Sequence, residues 1–327
     1  MNEVDKSNMG LLLDRVPDMI KDAMNLGNEI EIIGNVNNVV ISGMGGSAFP
    51  GDLLKSFMGD SETQVFVNKK YTLPRIVNES TLLFSISYSG NTEEAIDSYK
   101  EGLKRHAKIV TISCGGKLEE LAKENNTFHI KVPSGLPPRM STPYLFVPLL
   151  KIISKLNMIE NQDSNLKKVA EKLKNKKIRE RAKEISNELK DKTPLIYSSE
   201  EIFCVAEKWK IDINENSKTS AFYNVFPESN HNEINSYVNL IGNYHVILIR
   251  DSEDHPRNKK RFDIFKKVVE SKNVGVTDIK LEGDNLLERL LWGLNLGAWV
   301  SYYLALEYGI DPTEVEIVEQ FKKELDK

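Results

Sequence analysis

The sequence predicts an α/β protein built on two parallel sheets, each flanked by helices. Two observations carry this. Short β-branched runs alternate with helical patterns through both halves of the chain. Most of those runs are continuously apolar instead of alternating, which is how strands buried on both faces read. Length agrees: 327 residues suggest about two domains at the usual ~100–200 residues each.

In the first half the expected strands are 38–41, 64–67, 82–86, 109–112 and 129–132. After the third, Ala95, Ile96, Tyr99 and Leu103 suit one face of a helix. The charged stretch 158–192 reads as a helical connector with little core of its own. It separates a first domain of 1–157, with a leading helix, from a second of 193–327, with a closing helix. Strands at 194–197, 220–223, 244–249 and 278–281 build the second half. Residues 286–306 form a long apolar helix carrying Trp292 and Trp299, suited to core or to a subunit interface. In the closing helix Ile317, Val318, Phe321 and Leu325 share one apolar face.

With 40% hydrophobic and 28% charged residues, the composition is that of an ordinary soluble globular protein. A net charge of −4 gives no reason to expect nucleic acid or a membrane surface as partner. The lysines and arginines of 167–192 are interleaved with Glu171, Glu180 and Glu184 and read as a solvated helical face. Cys114 and Cys204 sit in apolar contexts, as buried small hydrophobes of a reducing compartment do. There is no run of 18 apolar residues, and Asn2, Glu3 and Asp5 open the chain without a basic-then-apolar segment. A cytoplasmic location is expected.

The chemistry concentrates in loops. Ser87, Ser89 and Thr92, with Gly90 between them, stand where a strand end turns into a helix start. Unpaired amides and the positive helix end favour an anion there, and with no cation in the loop a sugar phosphate fits. The competing reading is a capping loop with Asn91 or Thr92 as N-cap. Gly43 to Ala48 formally matches G-x-G-x-x-G/A. The next strand, however, ends in Asn68-Lys69-Lys70 and not in the acid that would hold a nicotinamide ribose. What remains is a glycine turn at Gly45 and Gly46 that lets backbone approach a ligand, with Ser47 at a helix start. The proline-stiffened loop 133–139 delivers Arg139 at a strand's C-terminal edge, where it could stabilise an oxyanion. Glu215 and His231 could act as base and acid at neutral pH; the competing readings are a solvated carboxylate and a helix-start hydrogen-bonder. The five histidines show neither i, i+4 pairing nor a nearby cysteine pair, so no metal is expected. A G-x-S-x-G elbow and a Walker loop are both absent from the sequence.

Taken in order, these segments resemble the sugar isomerase (SIS) superfamily, specifically the bifunctional phosphoglucose/phosphomannose isomerases. The matching blocks are I-S-G-M-G-G-S-A at 41–48, S-Y-S-G-N-T-E-E at 87–94, G-L-P-P-R at 135–139, E-N-S-K at 215–218, P-E-x-N-H-N-E at 227–233 and F-K-K-E-L at 321–325. Their joint order is far more specific than any one of them. The resemblance implies two SIS-type domains and aldose–ketose isomerisation through a cis-enediol, without cofactor. Gly45, Gly46 and Ser47 would line the sugar-phosphate pocket, while Ser87, Ser89 and Thr92 would hold the phosphate. Arg139 would stabilise the enediolate, and Glu215 would shuttle the proton. His231 and a C-terminal lysine, Lys322 or Lys323 with the family pattern selecting Lys322, would open the ring. His231 would reach across a homodimer interface, and Thr313 would give room for dual substrate use. Ser220 and Ser229 depart from the family's usual proline and leucine. Another SIS-type enzyme such as a ketose–amino sugar isomerase would be expected to bring an amide-hydrolysing domain with an N-terminal cysteine, and a non-enzymatic sugar-phosphate sensor a DNA-binding helical domain.

Overall fold

The computed structural model describes residues 3–59 and 61–325, with the backbone but not the side chain of Lys322. The strands are β1 (Asn38–Ser42), β2 (Gln64–Asn68), β3 (Thr81–Ile86), β4 (Lys108–Ser113), β5 (Phe128–Lys131), β6 (Thr193–Ser199), β7 (Phe222–Phe226), β8 (Tyr244–Arg250) and β9 (Gly275–Lys280). The helices are α1 (Met9–Asp14), α2 (Val16–Ala23), α3 (Phe49–Met58), α4 (Glu93–Lys104), α5 (Gly116–Glu124) and α6 (Thr142–Lys155). They continue as α7 (Asp163–Lys172), α8 (Lys177–Leu189), α9 (Phe203–Asn216), α10 (Pro256–Glu270), α11 (Leu286–Glu307) and α12 (Glu316–Leu325).

The chain forms two compact units. One comprises residues 15–172 with 285–288; the other holds the remainder. In the first, five parallel strands run in the order β2-β1-β3-β4-β5. Strands β1 and β3 are buried at every position, which accounts for the unbroken apolar stretches Val39 to Ile41 and Leu82 to Phe84 at their centres. Under this sheet Val40, Leu83 and Ile109 pack with Ala95, Tyr99 and Leu118 from α4 and α5. Ile96 and Leu103 border that cluster, so the face expected of α4 is the one it buries.

The second unit has four parallel strands in the order β7-β6-β8-β9. Its core joins Tyr197, Phe226, Tyr237, Leu248, Phe262 and Phe265. Trp292 and Trp299 of α11 are buried at 7% and 5% exposure, so this helix is core. Among the described residues no helix is long and apolar enough to cross a membrane.

Several local expectations need correction. Strand β7 begins at Phe222, paired with Leu195, and not at Ser220. The preceding residues finish the helix end: Asn214 Nδ2 donates to Thr219 O at 2.8 Å. Strand β9 starts at Gly275, because its pairing with β8 opens at His245. The connector carries more core than its charge suggests. Leu166, Val169 and Ala170 of α7 and Ile178, Ala182, Ile185 and Leu189 of α8 are buried at helical spacing. Cys114 is only half-buried, whereas Cys204 is buried; both are free thiols. Helix α12 forms, but its apolar face is open, with Ile317 at 82%, Phe321 at 64% and Leu325 at 70% exposure. Periodicity defines a face without saying what covers it.

Candidate active site

The strand order β2-β1-β3-β4-β5 reverses direction between β1 and β3, and doubly wound sheets bind ligands at the C-terminal ends of such a pair. The loops leaving these two strands are the glycine turn and the hydroxyl loop. They are tied together, since the Tyr88 N–H donates to Ser47 Oγ at 3.0 Å. Ser87 Oγ lies 2.8 Å from Thr92 Oγ1 and 3.5 Å from Ser89 Oγ, so the three hydroxyls form one cluster. Ser87 Oγ also accepts the Gly90 and Thr92 N–H groups at 3.1 and 3.3 Å. Thr92 is the N-cap of α4, as the capping reading expected, yet its hydroxyl makes no capping bond to the helix. It faces the other hydroxyls instead. The cap position is filled while the anion-binding groups of the helix start stay directed at the loop.

Arg139 joins this constellation. It lies on a 3-10 turn, Pro138–Met140, and is 3% exposed. Two devices hold its loop. The Tyr88 hydroxyl donates to Pro133 O and accepts the Leu136 N–H, both at 2.9 Å. Gly46 packs on the turn so closely that a Cβ there would stand 2.9 Å from the Pro138 carbonyl and 3.1 Å from the Arg139 nitrogen. Ser141 Oγ donates to the same Pro138 carbonyl at 2.6 Å. In this unit Gly45, Gly46, Ser47, the three hydroxyls and the Arg139 turn thus occupy neighbouring loops on one sheet edge. The tethering role of Tyr88 is not legible within its own motif, because its partners lie 45 and 48 residues away.

The second sheet reverses direction between β6 and β8. There the loop after β8 carries Asp251 and Asp254, buried at 6% and 4% exposure. Asp251 holds Arg289 at 2.8 Å, and burial pushes the Asp254 carboxyl above its usual range.

Glu215 sits on the last turn of α9, and its helix is pinned from the opposite side. Trp209 Nε1 donates to Gly293 O at 2.8 Å, and Gly297 gives the indole its room, because a Cβ there would lie 2.4 Å from the ring. Asn216 Nδ2 donates to Ser301 Oγ at 2.9 Å, and Ser217 Oγ to Ser301 O at 2.8 Å. This leaves Glu215 half-buried on the wall of a cavity of about 760 Å³. Lys210, Asn214, Lys218, Phe222, Asp311 and Glu314 line it as well. Lys218 adopts φ +53° at the helix end and donates to Asp311 O at 2.7 Å, fastening the loop before α12 to the E-N-S-K turn. Thr313 stands in that loop, its N–H donating to Asp311 Oδ1 at 2.8 Å, but it is not on the cavity wall.

His231 ends a 3-10 turn, Glu228–His231, after β7, and is exposed; it does not line the Glu215 cavity. The Lys322 side chain is outside the described residues, while Lys323 is exposed. Among the described residues no group of three or more His, Cys, Asp or Glu side chains could hold a metal ion.

Comparison with known proteins supplies the family. A family model, the bacterial phospho-glucose isomerase C-terminal SIS domain, matches residues 178–325. The bifunctional phosphoglucose/phosphomannose isomerase of Caldicellulosiruptor bescii is 39% identical over 329 residues, covering 95% of this chain and 96% of its own. The chain belongs to the bifunctional phosphoglucose/phosphomannose isomerase family. The Aquifex aeolicus protein of that name is 38% identical across 88% of this chain and 90% of its own. Among solved structures, glucosamine-6-phosphate deaminase from Thermotoga maritima shares the fold. The TM-score is 0.70 over 93% of this chain and 96% of that one, at 15% identity. The resemblance drawn from ordered motifs therefore extends along nearly the whole chain of this phosphoglucose/phosphomannose isomerase family.

Proposed function

We infer that the protein is an aldose–ketose isomerase that interconverts glucose 6-phosphate and fructose 6-phosphate, with mannose 6-phosphate as a second aldose. The observation that carries this is the match, at 39% identity over 95% of the chain, to a relative named for both activities. The site chemistry suits it. The reaction needs a phosphate anchor, a base, an oxyanion stabiliser and a ring-opening acid. Ser87, Ser89 and Thr92 anchor the phosphate, with Ser47, Gly45 and Gly46 along the sugar. Remote binding energy from the phosphate holds the open chain in place for proton transfer. Glu215 removes the proton from C2 of the aldose and returns it to C1 of the ketose. The Arg139 guanidinium meets the charge that develops on the enediolate oxygen. His231 and Lys322 serve ring opening, and Thr313 supports dual substrate use.

His231 acts across the interface of a homodimer. Its exposure, and that of Val238 at 79% and Ile241 at 88% in the same segment, support this, since a second subunit would cover them. A cytoplasmic location follows from the same reading.

The decisive experiment is a coupled assay with fructose 6-phosphate on wild type and Glu215→Gln. The variant should lose roughly 10²–10⁴-fold in turnover while still binding substrate. Deuterium exchange from solvent into C1 or C2 should vanish with it. Exchange at the normal rate in Glu215→Gln would refute the base, and a wild type that binds hexose phosphates without turnover would refute the isomerase.

A further inference from the structure

Glu233 stands two residues beyond His231 and is fastened to two strands. The Tyr197 hydroxyl of β6 donates to Glu233 Oε1 at 2.6 Å, and Asn224 Nδ2 of β7 donates to Oε2. Behind them the Tyr237 hydroxyl lies 3.1 Å from that of Tyr197. The two tyrosines are 1% and 2% exposed and pack on Phe265 with ring centroids 4.9 and 5.5 Å away. Burial raises both hydroxyls above the ordinary tyrosine range, Tyr237 to about 12, so both stay protonated donors at neutral pH. The other side of the turn is closed too. Asn232 Oδ1 accepts the Glu233 N–H at 2.6 Å, and Asn232 Nδ2 donates to Glu228 Oε1 at 2.9 Å.

Stability alone does not call for this network. Two phenylalanines would fill the same aromatic core, and polar groups inside a core are weak evidence for stability. What the connected groups Tyr237, Tyr197, Glu233 and Asn224 do supply is one fixed geometry at the carboxylate. Here that geometry belongs to the turn that presents an exposed imidazole.

We propose that Glu233 is a positioning residue for His231, its carboxylate anchored by Tyr197 and Asn224 so that the imidazole meets the sugar ring oxygen. The proposal rests on the isomerase reading and on the role of His231 in ring opening. In that step the ring oxygen gains the imidazolium proton, the C1–O5 bond breaks, and the C1 hydroxyl loses its proton to water as the carbonyl forms. A histidine displaced by about 1 Å forfeits up to ~10²-fold in rate even with its own chemistry intact.

The test is a double-mutant cycle on the full-length protein with glucose 6-phosphate, reading kcat and KM separately. Glu233→Ala should lower kcat by about 10–100-fold and leave KM within about twofold, because phosphate binding is untouched. Glu233→Gln keeps an oxygen for Tyr197 and should lose less. In a His231→Ala background, Glu233→Ala should cost nothing more. Tyr197→Phe removes the donor without removing the carboxylate and should reproduce the same kcat loss and the same non-additivity. It answers the question if Glu233→Ala does not fold. Additive losses in the double variants, or a wild-type kcat in folded Glu233→Ala or Tyr197→Phe, would overturn the anchor. Near-normal activity of His231→Ala would overturn it as well, while leaving the isomerase reading in place. A wild type inactive on every hexose 6-phosphate would instead bring down the isomerase reading and the anchor with it.

Discussion

Tyr88→Phe isolates the tether of the arginine loop. Tyr88 is 7% exposed, and its hydroxyl makes two bonds of 2.9 Å, one to Pro133 O and one from the Leu136 N–H. Phenylalanine fills the same space and leaves the backbone bond to Ser47 intact, so the change removes those two hydrogen bonds and little else. At about 1 kcal/mol net for each, the stability cost is at most about 2 kcal/mol. The loop is solvated, with Pro133, Ser134 and Gly135 exposed, so the freed carbonyl can bind water and the loss should fall nearer 1 kcal/mol. That is about 1–2 °C in a chain of 327 residues. Activity should respond far more. Arg139 follows the tethered segment directly, and a misplacement of about 1 Å costs up to ~10²-fold. The expected result is a kcat lowered by about 10–100-fold with KM near wild type, because the hydroxyl cluster proposed to anchor the phosphate is unchanged. Steady-state assays beside thermal unfolding separate the two effects. An unchanged kcat in a folded variant would refute the tether, and a loss of activity matching the loss of folded protein would reduce Tyr88 to a stability role.

Thr92→Val keeps the β-branched shape at the cap and deletes a hydroxyl whose contact at 2.8 Å is Ser87 Oγ; KM for the phosphorylated sugar should rise by about tenfold at constant melting temperature, and an unchanged KM would count against phosphate anchoring. Ser87→Ala is a poorer probe, since Ser87 Oγ also holds the Gly90 and Thr92 amides. Mixing the impaired Glu215→Gln and His231→Ala subunits should raise activity above that of either variant alone if the histidine serves the partner's site; no gain after verified subunit exchange would put both residues in one chain. His245 gives a pH prediction. It is 4% exposed, and burial, with Lys192 adding to it, pushes its imidazole down to about 4 from the usual 6.5. Between those values the unfolded chain binds a proton that the folded one refuses, so the stability present above about pH 6.5 is lost as pH falls towards 4. Urea unfolding should show wild type losing about 2 kcal/mol more than His245→Gln between pH 7 and pH 4.5, and equal losses would disprove the assignment.

What could be read in the sequence is what is local to it. The parallel sheets announce themselves because the centres of β1 and β3, Val39 to Ile41 and Leu82 to Phe84, are apolar at consecutive positions and buried on both faces. The hydroxyl loop and the glycine turn are visible because a strand-to-helix junction needs particular residue types at particular places. Everything that aims those groups is tertiary. Tyr88 looks like a loop residue until Pro133 and Leu136 arrive at its hydroxyl. Glu215 reads as a lone surface carboxylate, because Gly297 and Ser301, which turn its helix, lie more than 80 residues on. The closing helix shows the opposite failure. Its apolar stripe is plain in the sequence, yet Phe321 is 64% exposed, because a stripe records that something is to be covered and not by what. Glu233 combines both difficulties. It stands inside a legible motif beside His231, and a helix-start glutamate there has an ordinary explanation. Only the buried hydroxyl of Tyr197 and the amide of Asn224, reaching it from two strands, turn it into an anchor. The blocks that carry the candidate site are each local in sequence, while Tyr197, Asn224 and Tyr237 come to Glu233 from outside its block, and for that reason the double-mutant cycle at Glu233 measures something no motif records.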